Sequence, residues 1–264
     1  MKGRLLAIAV LLAAACGPQD TGGQLVSFHA YARGSADTSG NREFDNGSGF
    51  HVQLTSARMY IGAFYLRLGQ TNPGSASSSC VGDTTYGVQV PGPGDLDVLS
   101  PQPQEFSVLG SGTTDLDQSA EIWLVDGDIT SVASNRVVAS VAGVATKGGT
   151  SYRFTGSITI GQNHVIPGSN PAQPGQNPIC KQRIISPIPV NVRPTVGGDL
   201  LLRVDPTAWL RDVDFSLLVP NAEGTYEIPD ESTGSGTDVT AARSFFTGVT
   251  GAAASTYDFS WFVP

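Results

Sequence analysis

The sequence predicts an all-β protein, a single-domain β-sandwich of the jelly-roll or immunoglobulin-like type. Glycine and proline account for 32 and 17 of the 264 residues, and helix interiors tolerate neither well. Only 14% of the residues are charged, and short alternating apolar runs recur between turn-rich segments. We count about twelve such runs and predict neither a long helix nor an internal repeat.

The N-terminal residues have the pattern of an export signal. Lys2 and Arg4 precede the apolar run 5–12, which is too short to span hydrocarbon, and alanines 13–15 supply the small residues before a cleavage site. The step from these alanines into Cys16 resembles the bacterial lipobox, which implies acylation of Cys16 and a firm membrane anchor. The alternative is an ordinary signal peptide cut near residue 15, which would leave a free cysteine.

Charge then limits the classes of partner. Without Lys2 and Arg4 the chain keeps 13 basic and 23 acidic side chains, a net charge of −10. Because nucleic acid is also negatively charged, we predict that the protein does not bind it. The predicted partners are the membrane, through the acyl anchor, and an envelope protein or a glycan. We place the protein in the cell envelope, at the outer membrane. The predicted divisions are a signal peptide (1–15), a tether (16–23) and the β-sandwich domain (24–264).

Two cysteines remain if Cys16 is acylated. Because exported proteins meet an oxidising compartment, Cys80 and Cys180 are predicted to form one disulfide. The bridge would close a loop of roughly 100 residues and contribute up to ~4–5 kcal/mol in the chain-entropy model. Two buried free thiols, or a thiol pair that binds a metal, are the alternatives.

The first strands follow from period-two alternation. In the run 25–32, Val26, Phe28, Ala30 and Ala32 point to one side, which predicts one strand. The run 50–68 is apolar on both faces in its second half. It predicts either one strand buried on both sides or two strands with a kink near residues 56–57, and a helix is the competing interpretation.

The later elements carry turn signals between them. Gly148 and Gly149 lie between the runs 135–146 and 151–161, which predicts a β-hairpin. Prolines in 184–192 suit an edge strand or a bulged one. The remaining predictions are strands at 86–90, 95–100, 105–109, 120–129, 197–206, 225–229, 242–248 and 255–264, and one helical turn within 207–218.

No motif predicts catalysis: the chain contains neither G-x-S-x-G nor HExxH, so we predict a protein that is not an enzyme. His29 and His51 lie on the polar faces of consecutive predicted strands. If those strands pair, the imidazoles would approach each other, with Met59 as a soft third ligand, and two histidines with a thioether suit copper. Ordinary solvent-facing histidines are the alternative.

Acidic and aromatic residues give two weaker candidates. Alternating carboxylates in loops suit calcium. Glu121 near Trp123 is the one place where a glutamate accompanies an aromatic residue as in a sugar cleft, the site that a hydrolase of envelope polymers would need. Trp123, Trp209 and Trp261 could also form a carbohydrate platform, with Trp209 the best candidate for exposure, but core packing is the favoured interpretation for each. No cofactor is predicted outright, with copper and calcium left open. The acidic pairs are Asp95/Asp97, Asp115/Asp117, Asp126/Asp128 and Asp212/Asp214.

Two segments carry a family resemblance. The stretch "GGDLLLRVDPTAWLRDVDFSLL" and, more loosely, "LTSARMYIGAFYLRL" resemble exported β proteins related to the methanobactin-associated periplasmic copper-binding proteins. In that family histidines hold copper with the help of an oxidised tryptophan. The resemblance would therefore nominate His29, His51 and Trp209.

Together these observations predict a membrane-anchored exported lipoprotein that acts as a binding or structural module of the cell envelope. The alternative is a periplasmic or surface copper-binding protein that uses histidine and tryptophan residues.

Overall fold

A computed structural model of the chain describes residues 22–35, 42–69, 85–126, 129–130, 135–161, 179–230 and 237–264. Strands dominate these residues, which confirms the all-β class. The strands are β1 Leu25–Phe28, β2 Ala30–Gly34, β3 Arg42–Asp45, β4 His51–Ile61, β5 Ala63–Arg67, β6 Tyr86–Val90, β7 Gly94–Asp97, β8 Gln104–Glu105, β9 Gly110–Thr113, β10 Asp117–Trp123, β11 Val137–Lys147, β12 Thr150–Thr159, β13 Ile184–Val192, β14 Asp199–Val204, β15 Tyr226–Ile228 and β16 Tyr257–Phe262.

Helical structure among the described residues is limited to four short segments. None of these helices is long and apolar enough to cross a bilayer. They are α1 Ile179–Gln182, two 3₁₀ helices at Pro206–Leu210 and Phe215–Leu217, and α2 Asp238–Thr250.

The strands form three sheets. The first sheet has the order β1-β9-β6-β5-β10-β13 and is antiparallel throughout. The second has the order β15-β12-β11-β4-β3, and β7 also pairs with β4. The third has the order β16-β14-β2-β8. One hydrophobic cluster contains buried side chains from all three sheets, so they share a core.

The predicted strand at 25–32 is two strands that belong to different sheets. Val26, Phe28, Ala30 and Ala32 are all buried, so the predicted alternation is confirmed. The ladder nevertheless changes at His29, because β1 pairs with β9 in the first sheet and β2 pairs with β14 and β8 in the third.

The run 50–68 also passes from one sheet to another. It breaks at Gly62, not at residues 56–57: β4 belongs to the second sheet and β5 to the first. A Cβ at Gly62 would overlap the carbonyl oxygen of Val125, so the close approach of the two backbones requires glycine here. The register of β4 with β11 does shift between Leu54 and Ser56, close to the predicted kink.

The predicted hairpin is confirmed as β11 and β12, which pair along their whole lengths. Gly148 and Gly149 have φ of 58° and 84°, values that favour glycine and match a type I′ turn. The proline-bearing β13 lies at the edge of the first sheet, also as predicted.

The predicted strand at 242–248 is wrong, because these residues lie within α2. The buried side chains recur with helical spacing and face the core, although phenylalanine and threonine in this run also have a β preference. Those buried residues are Ala241, Ala242, Phe245, Phe246 and Val249.

The helical turn predicted within 207–218 is confirmed as the two 3₁₀ helices, capped by Asp205 and Asp214. The terminal strand β16 lies at the edge of the third sheet. Its inward face is Tyr257, Phe259 and, half-buried, Trp261. Val263, which the same alternation would place on that face, follows the end of the strand and is exposed.

Candidate functional site

Five side chains from three neighbouring strands of the first sheet form the most organised polar group among the described residues. We call them the Glu121 cluster: Tyr65 and Arg67 from β5, Tyr86 from β6, and Glu121 and Trp123 from β10. Their strand neighbours Phe64, Leu66, Ala120 and Ile122 are buried in the core. Because side chains alternate across a sheet, the cluster lies on the face opposite the core.

Glu121 is the centre of the cluster. Its Oε2 accepts a hydrogen bond from Arg67 Nη2, and its Oε1 accepts from Tyr86 Oη at 2.8 Å and from Trp123 Nε1 at 3.0 Å. Both ionic side chains are buried, at 8% exposure for Arg67 and 2% for Glu121. A buried carboxylate is stable only when charge and hydrogen bonds compensate its lost hydration, and these three donors supply both.

The aromatic rings surround this ion pair. The ring centroids of Tyr65 and Tyr86 are 4.8 Å apart, and those of Tyr65 and Trp123 are 5.1 Å apart. The Arg67 guanidinium carbon lies 5.4 Å from the centroid of Tyr86. All three rings are only half-buried, so part of each remains open to a ligand.

The electrostatics of the cluster keep its phenols protonated. Burial, followed by the charge of Glu121 and its hydrogen bond, raises the pKa of Tyr86 to about 12. Burial and Glu121 also raise the pKa of Tyr65. Both hydroxyls therefore remain hydrogen-bond donors at physiological pH.

Glycosidase chemistry would require a second carboxylate about 5–10 Å from Glu121. The next acidic residue on the same strand face is Asp117, four residues away, which corresponds to roughly 13 Å along a strand. On this face of β10, Glu121 therefore has no second carboxylate at that distance. In addition, both carboxylate oxygens of Glu121 already accept hydrogen bonds, from three donors in total.

Asp117 itself has an unusual environment. Its side chain has no exposed surface, neither carboxylate oxygen has a hydrogen-bond partner among the described residues, and a Cβ on Gly87 would overlap Oδ1. Burial, and then the nearby charge of Asp115, raise the pKa of Asp117 to about 7. The pKa of Asp115 is lowered instead, because its carboxylate accepts from Gly23 N at 2.9 Å and Thr113 Oγ1 at 2.8 Å.

The acidic pairs considered for calcium do not converge with other ligands. No group of three or more His, Cys, Asp or Glu side chains suited to a metal occurs in the part of the chain that the structure describes. Asp128 lies outside that part. Asp95 pairs with Arg58, Asp97 accepts from Leu99 N, Asp126 lies near Arg136, Asp212 near Arg211, and Asp214 caps a 3₁₀ helix.

The residues considered for copper are not brought together. His29 lies between β1 and β2, and neither of these strands pairs with β4, which begins at His51 and has β11, β3 and β7 as neighbours. His29 Nδ1 lies 2.5 Å from Glu105 Oε1, and His51 Nδ1 lies 2.9 Å from Asp45 Oδ1. Met59 and Trp209 are completely buried in the core. Copper binding by these residues stays a prediction, and the structure shows no single site that all four of them share.

Trp209 was expected to be the most exposed tryptophan, and that expectation is wrong. It belongs to the first 3₁₀ helix, against which α2 packs so closely that a Cβ on Gly248 would press on the Trp209 backbone. Trp123, in the Glu121 cluster, is the tryptophan whose position suits a ligand.

A shallow cleft of about 230 Å³ lies on the second sheet, beside β4 and β11. Arg58 and Asp95 pair across its rim at 3.0 Å, and the guanidinium of Arg136 stacks on Tyr60 at 4.0 Å from the ring centroid. These groups already satisfy one another, so the cleft offers less to a ligand than the Glu121 cluster does.

Only one of the three cysteines with a predicted modification belongs to the described residues. Cys16 and Cys80 fall outside the described residues, and Cys180 is buried in α1. The acylation of Cys16 and the Cys80–Cys180 disulfide therefore stay predictions.

Sequence reasoning paired Glu121 with Trp123 but missed Arg67, Tyr65 and Tyr86. The first pair is two residues apart on one strand, whereas the others join only through the pairing of β10 with β5 and of β5 with β6. No protein-family model matches this chain, and no match was found to a curated protein or to a solved structure.

Proposed function

We propose that the protein is an exported lipoprotein of the cell envelope, acylated at Cys16, whose β-sandwich domain binds a glycan through the Glu121 cluster. The observation that carries the proposal is a set of three half-buried aromatic side chains arranged around one buried arginine–glutamate pair. The proposed activity is binding and not catalysis, because both oxygens of the central carboxylate already accept hydrogen bonds from Arg67, Tyr86 and Trp123.

The physical basis is the complementarity between aromatic faces and sugar rings. The C–H faces of a pyranose are apolar and pack against tyrosine and tryptophan rings, while hydroxyls at the edges need hydrogen-bond partners. Gln89 lies directly across from Tyr65 on β6 and is exposed, so it supplies such a partner. Hydrogen bonds to Glu121 hold Trp123 and Tyr86 in place, which lowers the entropy that binding would cost.

The binding experiment is isothermal titration calorimetry with soluble peptidoglycan fragments and a panel of neutral oligosaccharides. We expect Trp123→Ala and Tyr65→Ala each to weaken binding by about ten-fold or more, equivalent to about 1.4 kcal/mol. Tyr152→Ala is the matched control, because Tyr152 is also half-buried but packs against Phe50 and Tyr226 on the second sheet.

Each variant should first be checked by thermal unfolding, so that a loss of binding is counted only in folded protein. If no glycan in the panel binds, or if Trp123→Ala and Tyr152→Ala weaken binding equally, the assignment of a glycan to this surface is wrong.

The envelope part of the proposal is tested separately, by intact mass spectrometry of protein purified from membranes under non-reducing conditions. We expect a mature chain that starts at Cys16 with acyl chains attached, and a Cys80–Cys180 disulfide. The lipobox-like sequence before Cys16 supports the first expectation, and the buried position of Cys180 is compatible with the second. An unmodified N-terminus would remove the anchor, whereas free thiols would remove only the disulfide.

A further inference from the structure

Of the eight large apolar side chains that are exposed among the described residues, four belong to segments that are linked at the end of the domain where β1 begins. Leu25, Val196 and Val263 are 81%, 65% and 68% exposed, and Phe262 is 38% exposed. We call these four residues the apolar end. Such side chains are ordinary when scattered singly, so their common location is what requires a physical reason.

Direct contacts link the segments that carry these residues. Gln24 N donates to Thr114 Oγ1 at 2.9 Å, next to Leu25, and Arg193 Nη1 donates to the Thr114 carbonyl at 3.5 Å. Thr195, which precedes Val196, accepts from Trp261 Nε1 at 3.0 Å. Phe262 and Val263 follow Trp261 directly, so the beginning of β1, the segment between β13 and β14, and the end of β16 lie close together.

We propose that the apolar end lies in the interface of the lipid bilayer, so that the domain rests on the membrane and is not held away from it. This inference depends on the proposed acylation of Cys16. Six residue steps separate Cys16 from Gly22, where the described chain begins, and they span at most about 20 Å when fully extended. The anchor would therefore keep this end of the domain close to the lipid headgroups.

The chemistry of the apolar end suits an interface. Phe262 lies near Tyr31, with ring centroids 6.4 Å apart, and Trp261 packs edge-on against Phe28 at 4.9 Å. Aromatic residues with a polar group favour the headgroup level of a bilayer, and aliphatic side chains gain by leaving water there. Arg193 is exposed beside them and offers a cation to anionic headgroups.

The experiment places the acylated, full mature protein in vesicles of phosphatidylethanolamine and phosphatidylglycerol that contain lipids brominated near the headgroup. Bromine quenches nearby tryptophans, and Trp261→Phe identifies the share of the emission that comes from Trp261. We expect the brominated lipids to reduce the Trp261 emission by roughly two-fold. Val263→Ser should relieve much of this quenching.

Val219→Ser is the matched control, because Val219 is 78% exposed but lies beside the bridge from Pro220 to Tyr226, next to β15. It should leave the quenching unchanged. If the protein is acylated but Trp261 is not quenched, or if both valine variants behave alike, the apolar end does not rest on the membrane although the anchor stands. If mass spectrometry finds no acyl chain, the proposed anchor fails and this inference fails with it.

Discussion

The Arg67–Glu121 and Arg203–Asp258 pairs are both ion pairs between an arginine and a carboxylate, but they differ in how far they are buried. The first joins β5 to β10 with both side chains nearly excluded from water, at 8% and 2% exposure. The second joins β14 to β16 at 3.2 Å, with 47% and 45% exposure. Since water screens the second pair and not the first, the comparison teaches that burial and partners, more than the presence of an ion pair, determine what a charge contributes here.

The largest expected effect is the loss of the buried carboxylate. We predict that Glu121→Gln lowers the free energy of unfolding by about 3–5 kcal/mol, because Arg67 would remain buried without a counter-charge. Asp258→Asn, at the exposed pair, should cost less than about 1 kcal/mol. Urea denaturation measures both values.

A double variant sharpens the same comparison. Arg67→Met combined with Glu121→Gln removes both charges and should recover a large part of the stability that Glu121→Gln loses alone. Equal costs for Glu121→Gln and Asp258→Asn would contradict the view that depth separates the two pairs.

The second largest expected effect is the pH dependence caused by Asp117, whose buried carboxyl group has no hydrogen-bond partner among the described residues. The folded state holds the Asp117 proton up to about pH 7, whereas the unfolded chain releases it near pH 4. The folded state therefore binds more protons between these values, and stability falls as the pH rises from about 4 to 7. A shift of about three pKa units corresponds to roughly 4 kcal/mol at most.

We accordingly predict that Asp117→Asn is more stable than the wild type at pH 8 by about 2–4 kcal/mol and has nearly equal stability at pH 4. Urea denaturation at a series of pH values provides the measurement. Asp258→Asn is the control, since its carboxylate is exposed and paired with Arg203. A difference between Asp117→Asn and the wild type that does not change with pH would show that Asp117 is not neutral in the folded state.

Much of the fold could be predicted because alternation and turn chemistry are local. The buried side chains at Val26 to Ala32 and the Gly148–Gly149 hairpin follow from neighbouring residues alone. The changes of sheet at His29 and Gly62 do not, because a strand that leaves one sheet for another keeps the same alternation. Helix α2 was missed because its Phe-Phe-Thr run satisfies β preference, while its core contacts select the helix.

The candidate site was predictable only in part for the same reason. Glu121 and Trp123 share one face of one strand, so their proximity is local. Arg67 and Tyr86 reach Glu121 across two strand pairings whose register no local pattern specifies. His29 and His51 do not come together, because His29 lies where the chain passes from the first sheet to the third, whereas His51 begins β4 in the second sheet.

An intermediate case lies at the cap of the first 3₁₀ helix. Asp205 accepts from Thr207 N at 3.0 Å and from Arg42 Nη2 at 3.3 Å, and the ion pair is 30% and 23% exposed. We predict that Asp205→Ala costs about 1–2 kcal/mol in urea denaturation. Asp214→Ala removes the comparable cap of the second 3₁₀ helix, which accepts from Ser216 N, and should cost somewhat less. A larger cost at Asp214 would argue against a contribution from Arg42.

The smallest effect is expected where distance and burial disagree most. His29 Nδ1 lies only 2.5 Å from Glu105 Oε1, yet the two side chains are 53% and 51% exposed. If distance determined stability, Glu105→Gln would be among the costly changes. We predict a cost below about 0.5 kcal/mol in urea denaturation, because water stabilises both groups when they separate. A cost that approached that of Glu121→Gln would overturn the ranking by burial and partners.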